Sequence, residues 1–520
     1  MIEKRRIVTN AASSIAQIVV SGATLAMLYR YLLETLGVAQ LGIWSLVLAM
    51  SSMIQVANFG FTGSIVKNIA DYDAKGDKHT VVIAIQTAII TVAGLSLVLI
   101  GCAYPAAKYY LSFAVEGQAY HDALNVLPLA LVAFWILMIT SIYQSGMYGC
   151  QLIAQRNGVL IAEGISHLTL CIFLAPRYGL LGLAYARVAQ NILTLVASIV
   201  FLKNHLPLLP VFPCRWSRTL LREMAGYATS FQVISFLVML ADPITKALLS
   251  RFGSVSLVGY YEMGSKLVQL FRSLIVNANQ VLVPAFANLK QLNPQKVSEL
   301  YLASSHIVIY LAVPSFGLLA ICAPLVSELW IGHNEPAFVW SMVMLCAGWL
   351  VNTLSAPAYF ASLGTGEMRI NVMSHVVMTI ANIVLALSLG QVIGGLGVVA
   401  GWAIALGIGG LWLNICYCNQ KSIAFGNLIS RDDRTLGLYV VFGLGASHLT
   451  WQVLPKSWGT LLPALGMPAA WGPILTSAVT ILGYLAILAL QIWKHSIRSD
   501  LQRWLVSAFA KEPTLQGHIR

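Results

Sequence analysis

Charge is what this chain is shortest of. Only 10% of its 520 residues are Asp, Glu, Lys or Arg, and 58% are hydrophobic. A soluble globular domain carries roughly a quarter charged residues, so the deficit excludes that class. Long polar stretches are missing too. No connection between apolar runs exceeds about 25 residues, which leaves no room for a separate soluble catalytic domain. There is no GxxxxGK(S/T) loop, so the chain does not hydrolyse nucleotide itself. HExxH and GxSxG are absent, and the outer connections expected at 104–121 and 455–470 are short and poor in acids. A membrane glycosyltransferase would want a larger acidic loop there. The chain reads as a non-enzyme. Its eight cysteines lie mostly inside apolar runs, with no pair in an outer connection. Cys416 and Cys418 have the look of a metal half-site, but no second half accompanies them, and small apolar packing is the better reading.

What the chain does have is span after span. About fourteen runs are long and apolar enough to cross a bilayer: roughly 10–32, 41–64, 80–103, 122–147, 157–175, 179–202, 223–249, 254–284, 302–323, 337–360, 370–390, 394–418, 435–454 and 471–493. The expected fold is an all-α polytopic membrane protein. The run after MIEKRR takes part in an internal repeat and reads as a retained helix. With the N-terminus inside, most of the 31 lysines and arginines fall on inner ends and loops, as the positive-inside rule demands. Both termini are then cytoplasmic. The net charge of +12 is met by that rule and by anionic lipid headgroups, with no nucleic acid partner.

The sequence repeats at a spacing of about 216. LETLGVAQLGIWS (33–45) aligns with LSRFGSVSLVGYYE (249–262), placing Gly37 over Gly253 and Gly42 over Gly259. GLLGLAYA (179–186) aligns with GGLGVVAG (394–401), placing Gly179 over Gly394 and Gly182 over Gly397. The predicted organisation is a six-helix lobe at 1–205, a cytoplasmic linker at 206–222, a second six-helix lobe at 223–420, helices 13 and 14 at 421–493, and a cytoplasmic amphipathic tail at 494–520. Six spans is an even number, so the lobes enter the membrane in the same sense, an arrangement in which transporters place their site at the repeat interface. The tail, KHSIRSDLQRWLVSAFAK, puts Ile497, Leu501, Trp504, Leu505 and Phe509 on one helical face and is expected to lie along the inner surface.

One run is too polar for its place. YYEMGSKLVQLFRSLI (260–275) carries Glu262, Lys266 and Arg272, and a mid-membrane charge costs at least about 2.5 kcal/mol. At 100° per residue, Glu262, Lys266, Gln269, Arg272, Ser273, Asn277 and Gln280 fall within an arc of about 140°. The preceding span adds Asp242 and Lys246, four apart. A turn near residue 252 sets Asp242 level with Glu262, one turn from Lys266. Two readings follow: a water-filled transport cavity lined by Gln269, Ser273, Asn277 and Gln280, or a closed salt-bridge cluster that only cements two helices. Two carboxylates cannot neutralise Lys246, Lys266 and Arg272, which favours the cavity.

Other polar groups are less directive. Arg187 shares a face with Gln190, Asn191 and Thr194 and either lines a cavity or snorkels to the outer surface. Arg30 ends the first span as an interface anchor or a cavity residue. Glu163 and His167 form an i, i+4 pair, a proton relay or a local pairing near the inner surface. His306 and His375 stand alone and read as packing residues.

The stretches LGVAQLGIWSLVLAMSSMIQVANFGFTGSIVKNIA (36–70) and GLLGLAYARVAQNIL (179–193) resemble the multidrug/oligosaccharidyl-lipid/polysaccharide (MOP) flippase superfamily, in its Wzx-type polysaccharide and O-antigen branch. The resemblance implies an alternating-access flippase of the bacterial inner membrane. Its substrate would be an undecaprenyl-diphosphate-linked oligosaccharide moved from the inner to the outer leaflet, with membrane lipids and the polysaccharide polymerase or assembly machinery as further partners. Spans one, two, seven and eight would line the cavity, and the last two would guide the lipid tail. Lys246, Lys266 and Arg272, with Arg187 and Arg30 as outer candidates, would bind the diphosphate. Asp242 and Glu262 would pair those cations or carry protons. No cofactor or metal is called for, and H+ or Na+ coupling stays open. Span two has no mid-membrane cation. A MATE-like cation-coupled multidrug antiporter and a membrane glycan polymerase or ligase are the alternative readings.

Overall fold

In hydrocarbon every backbone N–H and C=O must find a partner within the chain, which a helix supplies segment by segment. The computed structural model describes residues 2–53, 55, 61–225, 229–464 and 471–498, and among these it contains no strand. The helices are α1 (Ile2–Leu36), α2 (Val38–Ser52), α3 (Phe61–Ala74), α4 (Lys78–Ala114), α5 (Gly117–Gly149), α6 (Ile153–Tyr178), α7 (Leu180–His205), α8 (Arg218–Ala225), α9 (Thr229–Phe252) and α10 (Val255–Gln280). They continue as α11 (Val283–Leu292), α12 (Pro294–Ile321), α13 (Ala323–Ile331), α14 (Pro336–Thr353), α15 (Ala356–Thr365), α16 (Arg369–Ile393), α17 (Gly395–Gln420), α18 (Arg431–Ala464) and α19 (Trp471–Lys494). Among the described residues, 11 helices are long and apolar enough to cross a membrane. The other three expected windows hold α2 with α3, α9 and α18. The protein is an all-α polytopic membrane protein.

The predicted outer connections are shorter than expected. Of 104–121, only Val115 and Glu116 lie between α4 and α5, and α18 runs on to Ala464. Hydropathy marks the lipid-facing core of a helix; the backbone ladder carries on beyond it. The tail falls outside the described residues from residue 499 onward, and with it Leu501, Trp504, Leu505 and Phe509.

Chain contacts divide the protein into two compact units. The first comprises Met1–Leu270, Leu329–Ser341 and Val372–Ala405. Its core is built around α5, with Ile65, Ile69, Ile85 and Leu127 fully buried. Lipid is as apolar as leucine, so association here depends on close backbone approach through small residues. The repeat glycines provide it. A Cβ on Gly42 would collide with the carbonyl oxygen of Val255, and one on Gly259 with that of Val38. The two contacts are the same contact exchanged between repeats. Gly179 and Gly394 both take positive φ, 58° and 74°. Three residues on, a Cβ on Gly182 would strike the carbonyl of Leu174, and one on Gly397 that of Leu389. The glycines paired in the sequence thus take matching roles in the backbone.

The second unit comprises Phe271–Glu328, Met342–Asn371 and Leu406–Arg520. Phe286, Tyr301, Ala358, Ala361, Leu413, Tyr417 and Cys418 pack one of its cores. Tyr301 Oη lies 3.6 Å from Cys418 Sγ, and that cysteine is buried in this core. A second core joins α12 to α18 and α19 through Ile321, Leu436, Val440, Tyr484 and Leu488. Tyr484 slots between Gly317 and Gly443 and donates to the carbonyl of Pro314 at 3.0 Å.

Candidate functional site

In the first unit, α9 and α10 form a hairpin that turns at Gly253 and Ser254. Antiparallel pairing brings Asp242, Lys246, Glu262 and Lys266 into one chain of charges. Lys246 Nζ lies 2.7 Å from Asp242 Oδ2 and 2.8 Å from Glu262 Oε2. Lys266 Nζ stands further off, 3.4 Å from Glu262 Oε1. The inner members are sealed: the side chains of Lys246 and Glu262 are 4% and 9% exposed, against 43% for Asp242 and 47% for Lys266. Two cations and two carboxylates balance. Pro243 beside Asp242 interrupts the α9 ladder, and Tyr110 of α4 donates to its carbonyl at 3.0 Å. Thr245 accepts from Asn382 at 3.0 Å. On α10, Ser265 is buried and accepts from Gln269 at 2.9 Å, while Gln269 itself is exposed.

In the second unit, the continuation of α10 carries Arg272. Its Cζ lies 4.4 Å from the ring centroid of Trp349, and Nη2 donates to Asn352 Oδ1 at 3.3 Å. Its buried Nε has no hydrogen-bond partner among the described residues. Among the described residues no carboxylate pairs with Arg272, so its charge is held on an indole face and stays unneutralised. Ser273 is half-buried; Asn277 and Gln280 are exposed. Phe271 and Leu274, on the apolar side of the same helix, are 38% and 43% exposed.

Arg187 lies in neither group. It lines a cavity of about 280 Å3 in the first unit with Gln17, Ser21 and Thr24 of α1 and Glu163 and His167 of α6. Arg187 Nη1 donates to Gln190 Oε1 at 3.1 Å, and Gln190 Nε2 to Thr194 Oγ1 at 3.0 Å. A Cβ on Gly164 would sit 3.0 Å from Thr24 Oγ1, so this glycine lets α6 close on α1. Glu163, at mid-helix, and half-buried Arg187 thus share the lining of one cavity. The α1 contribution went unread, although Gln17, Ser21 and Thr24 follow i, i+4, i+7 spacing. Arg30 is elsewhere: it pairs with Glu34 at 3.0 Å, and both are exposed.

One histidine expected to pack alone does not. His306 Nδ1 lies 2.6 Å from Asp433 Oδ2, and His495 Nε2 lies 3.3 Å from Asp433 Oδ1. The Ser430 amide and hydroxyl also donate to Asp433, at 2.8 and 2.7 Å. Asp433 and His495 are fully buried. These groups lie far apart in sequence, and no local pattern joins them.

The sequence profile of a family described as polysaccharide biosynthesis protein matches residues 34–335, more than half of the chain. A Shigella flexneri protein inferred to be an O-antigen transporter is 20% identical over 399 residues, covering 76% of this chain and 93% of that one. Two solved structures share the architecture. The lipid II flippase MurJ in an inward closed conformation superposes with a TM-score of 0.68 at 13% identity, over 96% of this chain and 100% of that one. An inward-facing multidrug resistance MATE family transporter of the MOP superfamily gives 0.66 at 15% identity, over 78% and 94%. At such identities the structural likeness speaks for the fold alone, while the profile match speaks for descent. The chain belongs to the polysaccharide biosynthesis protein family, built on the fold of the MOP-superfamily transporters.

Proposed function

We propose that this protein is a flippase that carries an undecaprenyl-diphosphate-linked oligosaccharide from the inner to the outer leaflet of the bacterial inner membrane by alternating access. The observation that carries the reading is Arg272: a half-buried guanidinium on an apolar helix, with no carboxylate partner among the described residues, backed by Trp349 and holding an unused Nε donor. A guanidinium offers a phosphate paired donors in a fixed fork. In the first unit, Lys266 is a cation open to a ligand. It is half exposed, and its 3.4 Å bond to Glu262 is the loosest of the cluster, so a phosphate oxygen can take it over. Lys246 then serves as the fixed strut between Asp242 and Glu262, a narrower role than direct binding. Gln269, Asn277 and Gln280, exposed along the same helix, suit the hydroxyls of a glycan. Glu163 and His167 are the titratable groups at hand for H+ coupling in the α1–α6–α7 cavity. A MATE-like exporter of cationic drugs would want acid in surplus, and an unpaired arginine disfavours that.

Deleting the protein from its native cell should leave lipid-linked oligosaccharide on the cytoplasmic face. Complementation with Arg272→Ala or Lys266→Ala, at wild-type levels in the membrane, should lower surface glycan by about tenfold or more, the worth of one charge-assisted hydrogen bond. Full export by both variants would remove these side chains from the substrate path.

A further inference from the structure

Three helices of the first unit end beside one another: α3 at Ala74, α5 at Gly149 and α7 at His205. Small residues bring them together. A Cβ on Gly149 would lie 2.7 Å from Ile69 Cγ2, so α5 closes on α3 there. A Cβ on Gly146 would lie 3.0 Å from Leu202 Cδ2, so the same stretch of α5 closes on α7. Asp73 follows Ile69 by one helical turn, His205 follows Leu202 by three residues, and Cys150 follows Gly149 directly. The close packing therefore delivers three side chains of different chemistry to one point. Their ligand-type atoms all lie within 4.8 Å of one another. Cys150 is 2% exposed; Asp73 and His205 are half-buried. The Asp73 carboxylate and the His205 imidazole form no salt bridge with each other, so the three have converged without satisfying one another.

We infer that Asp73, Cys150 and His205 form a binding site for one borderline transition-metal ion, zinc by the chemistry of its donors, which fastens the ends of α3, α5 and α7. One thiolate, one imidazole and one carboxylate make a donor set that zinc accepts and that hard Mg2+ or Ca2+ does not prefer. Three protein ligands leave the fourth tetrahedral position to water or a backbone carbonyl. The spacing is open by little. A point equidistant from three atoms about 4.8 Å apart lies about 2.8 Å from each, against bonds of about 2.0–2.3 Å. Each side chain closes by about 0.5–0.8 Å, within the play of a rotamer. Two anionic ligands offset the metal's charge, and the bound cation would take the place of the thiol proton. A nucleophilic Cys–His–Asp arrangement is excluded by the burial of Cys150, which no substrate carbonyl could approach.

The full chain, purified in detergent with any affinity tag removed, is incubated with zinc chloride, desalted and assayed for metal per polypeptide. Wild type should retain about one zinc, and Cys150→Ser or His205→Gln should lose at least about nine-tenths of it. Asp73→Asn changes only a half-exposed helix end and serves where Cys150→Ser is not recovered folded. Loaded instead with Co2+, wild type should develop a thiolate-to-cobalt charge-transfer band that Cys150→Ser lacks. Wild type with no more zinc than a protein-free control overturns the site. So does full zinc retention by folded His205→Gln or Asp73→Asn. None of these readouts depends on glycan export.

Discussion

Individual charges in this membrane protein divide into those that hold the fold and those left over, and burial separates them. Lys246 sits between two carboxylates with its side chain 4% exposed. Lys246→Ala would leave buried Glu262 only its longer contact to Lys266, and breaking a buried pair in this way costs on the order of 3 kcal/mol. Lys266, half exposed and 3.4 Å from its partner, should cost no more than about 1 kcal/mol when removed. Thermal unfolding in detergent should show Lys246→Ala strongly destabilised and Lys266→Ala near wild type. The opposite order would mean that the inner and outer members of the chain have been misassigned. Much of this site was legible beforehand. The helical wheel and the turn near residue 252 put Asp242, Lys246, Glu262 and Lys266 together, because charges on two consecutive antiparallel helices are constrained by simple arithmetic. Asp433 was not legible, since its partners His306 and His495 lie at sequence separations that no periodicity spans.

Among the elements, helix ends carry the information that hydropathy misses. Asp77 caps α4, accepting from the Thr80 amide at 3.0 Å and the Thr80 hydroxyl at 2.6 Å. These bonds to the ionised form hold its carboxyl below the usual range. A depressed folded value contributes stability that is fully present above the unfolded value of about 4 and lost as pH falls through the folded one. Between pH about 5 and about 3, wild type should therefore lose more stability than Asp77→Asn. Equal loss in both would show that the cap carries no pH-dependent stability. At the other end of the chain, Asp433 ties the start of α18 to α12 and to the residues after α19. Asp433→Ala removes several bonds to a buried carboxylate, on the order of 3 kcal/mol. Proteolysis and hydrogen exchange should rise first in α18 and α19. Uniform loosening of every helix would argue that these two helices are not a separately docked element. The glycine repeats were readable as pattern. Their exchange of contacts, Gly42 on Val255 and Gly259 on Val38, needed coordinates, because a repeat in sequence does not say which copy touches which.

At the scale of the whole molecule, the distribution of Lys and Arg argues for both termini in the cytoplasm, and a native cysteine can test it. Cys214 is exposed in the connection between α7 and α8, where its amide donates to Gln86 at 3.0 Å. That connection follows six expected spans, an even number, which puts it on the side of the N-terminus. In a variant retaining Cys214 alone, a membrane-impermeant maleimide should label inverted vesicles and spare intact spheroplasts. Labelling of spheroplasts would invert the whole chain, since the parity of spans leaves no way to flip one connection by itself. It would also place the α3–α5–α7 ends outside the cell. A flippase loading its substrate from the cytoplasmic leaflet would then meet the wrong face of every lobe, so the side on which Cys214 reacts constrains the direction of transport as well as the topology.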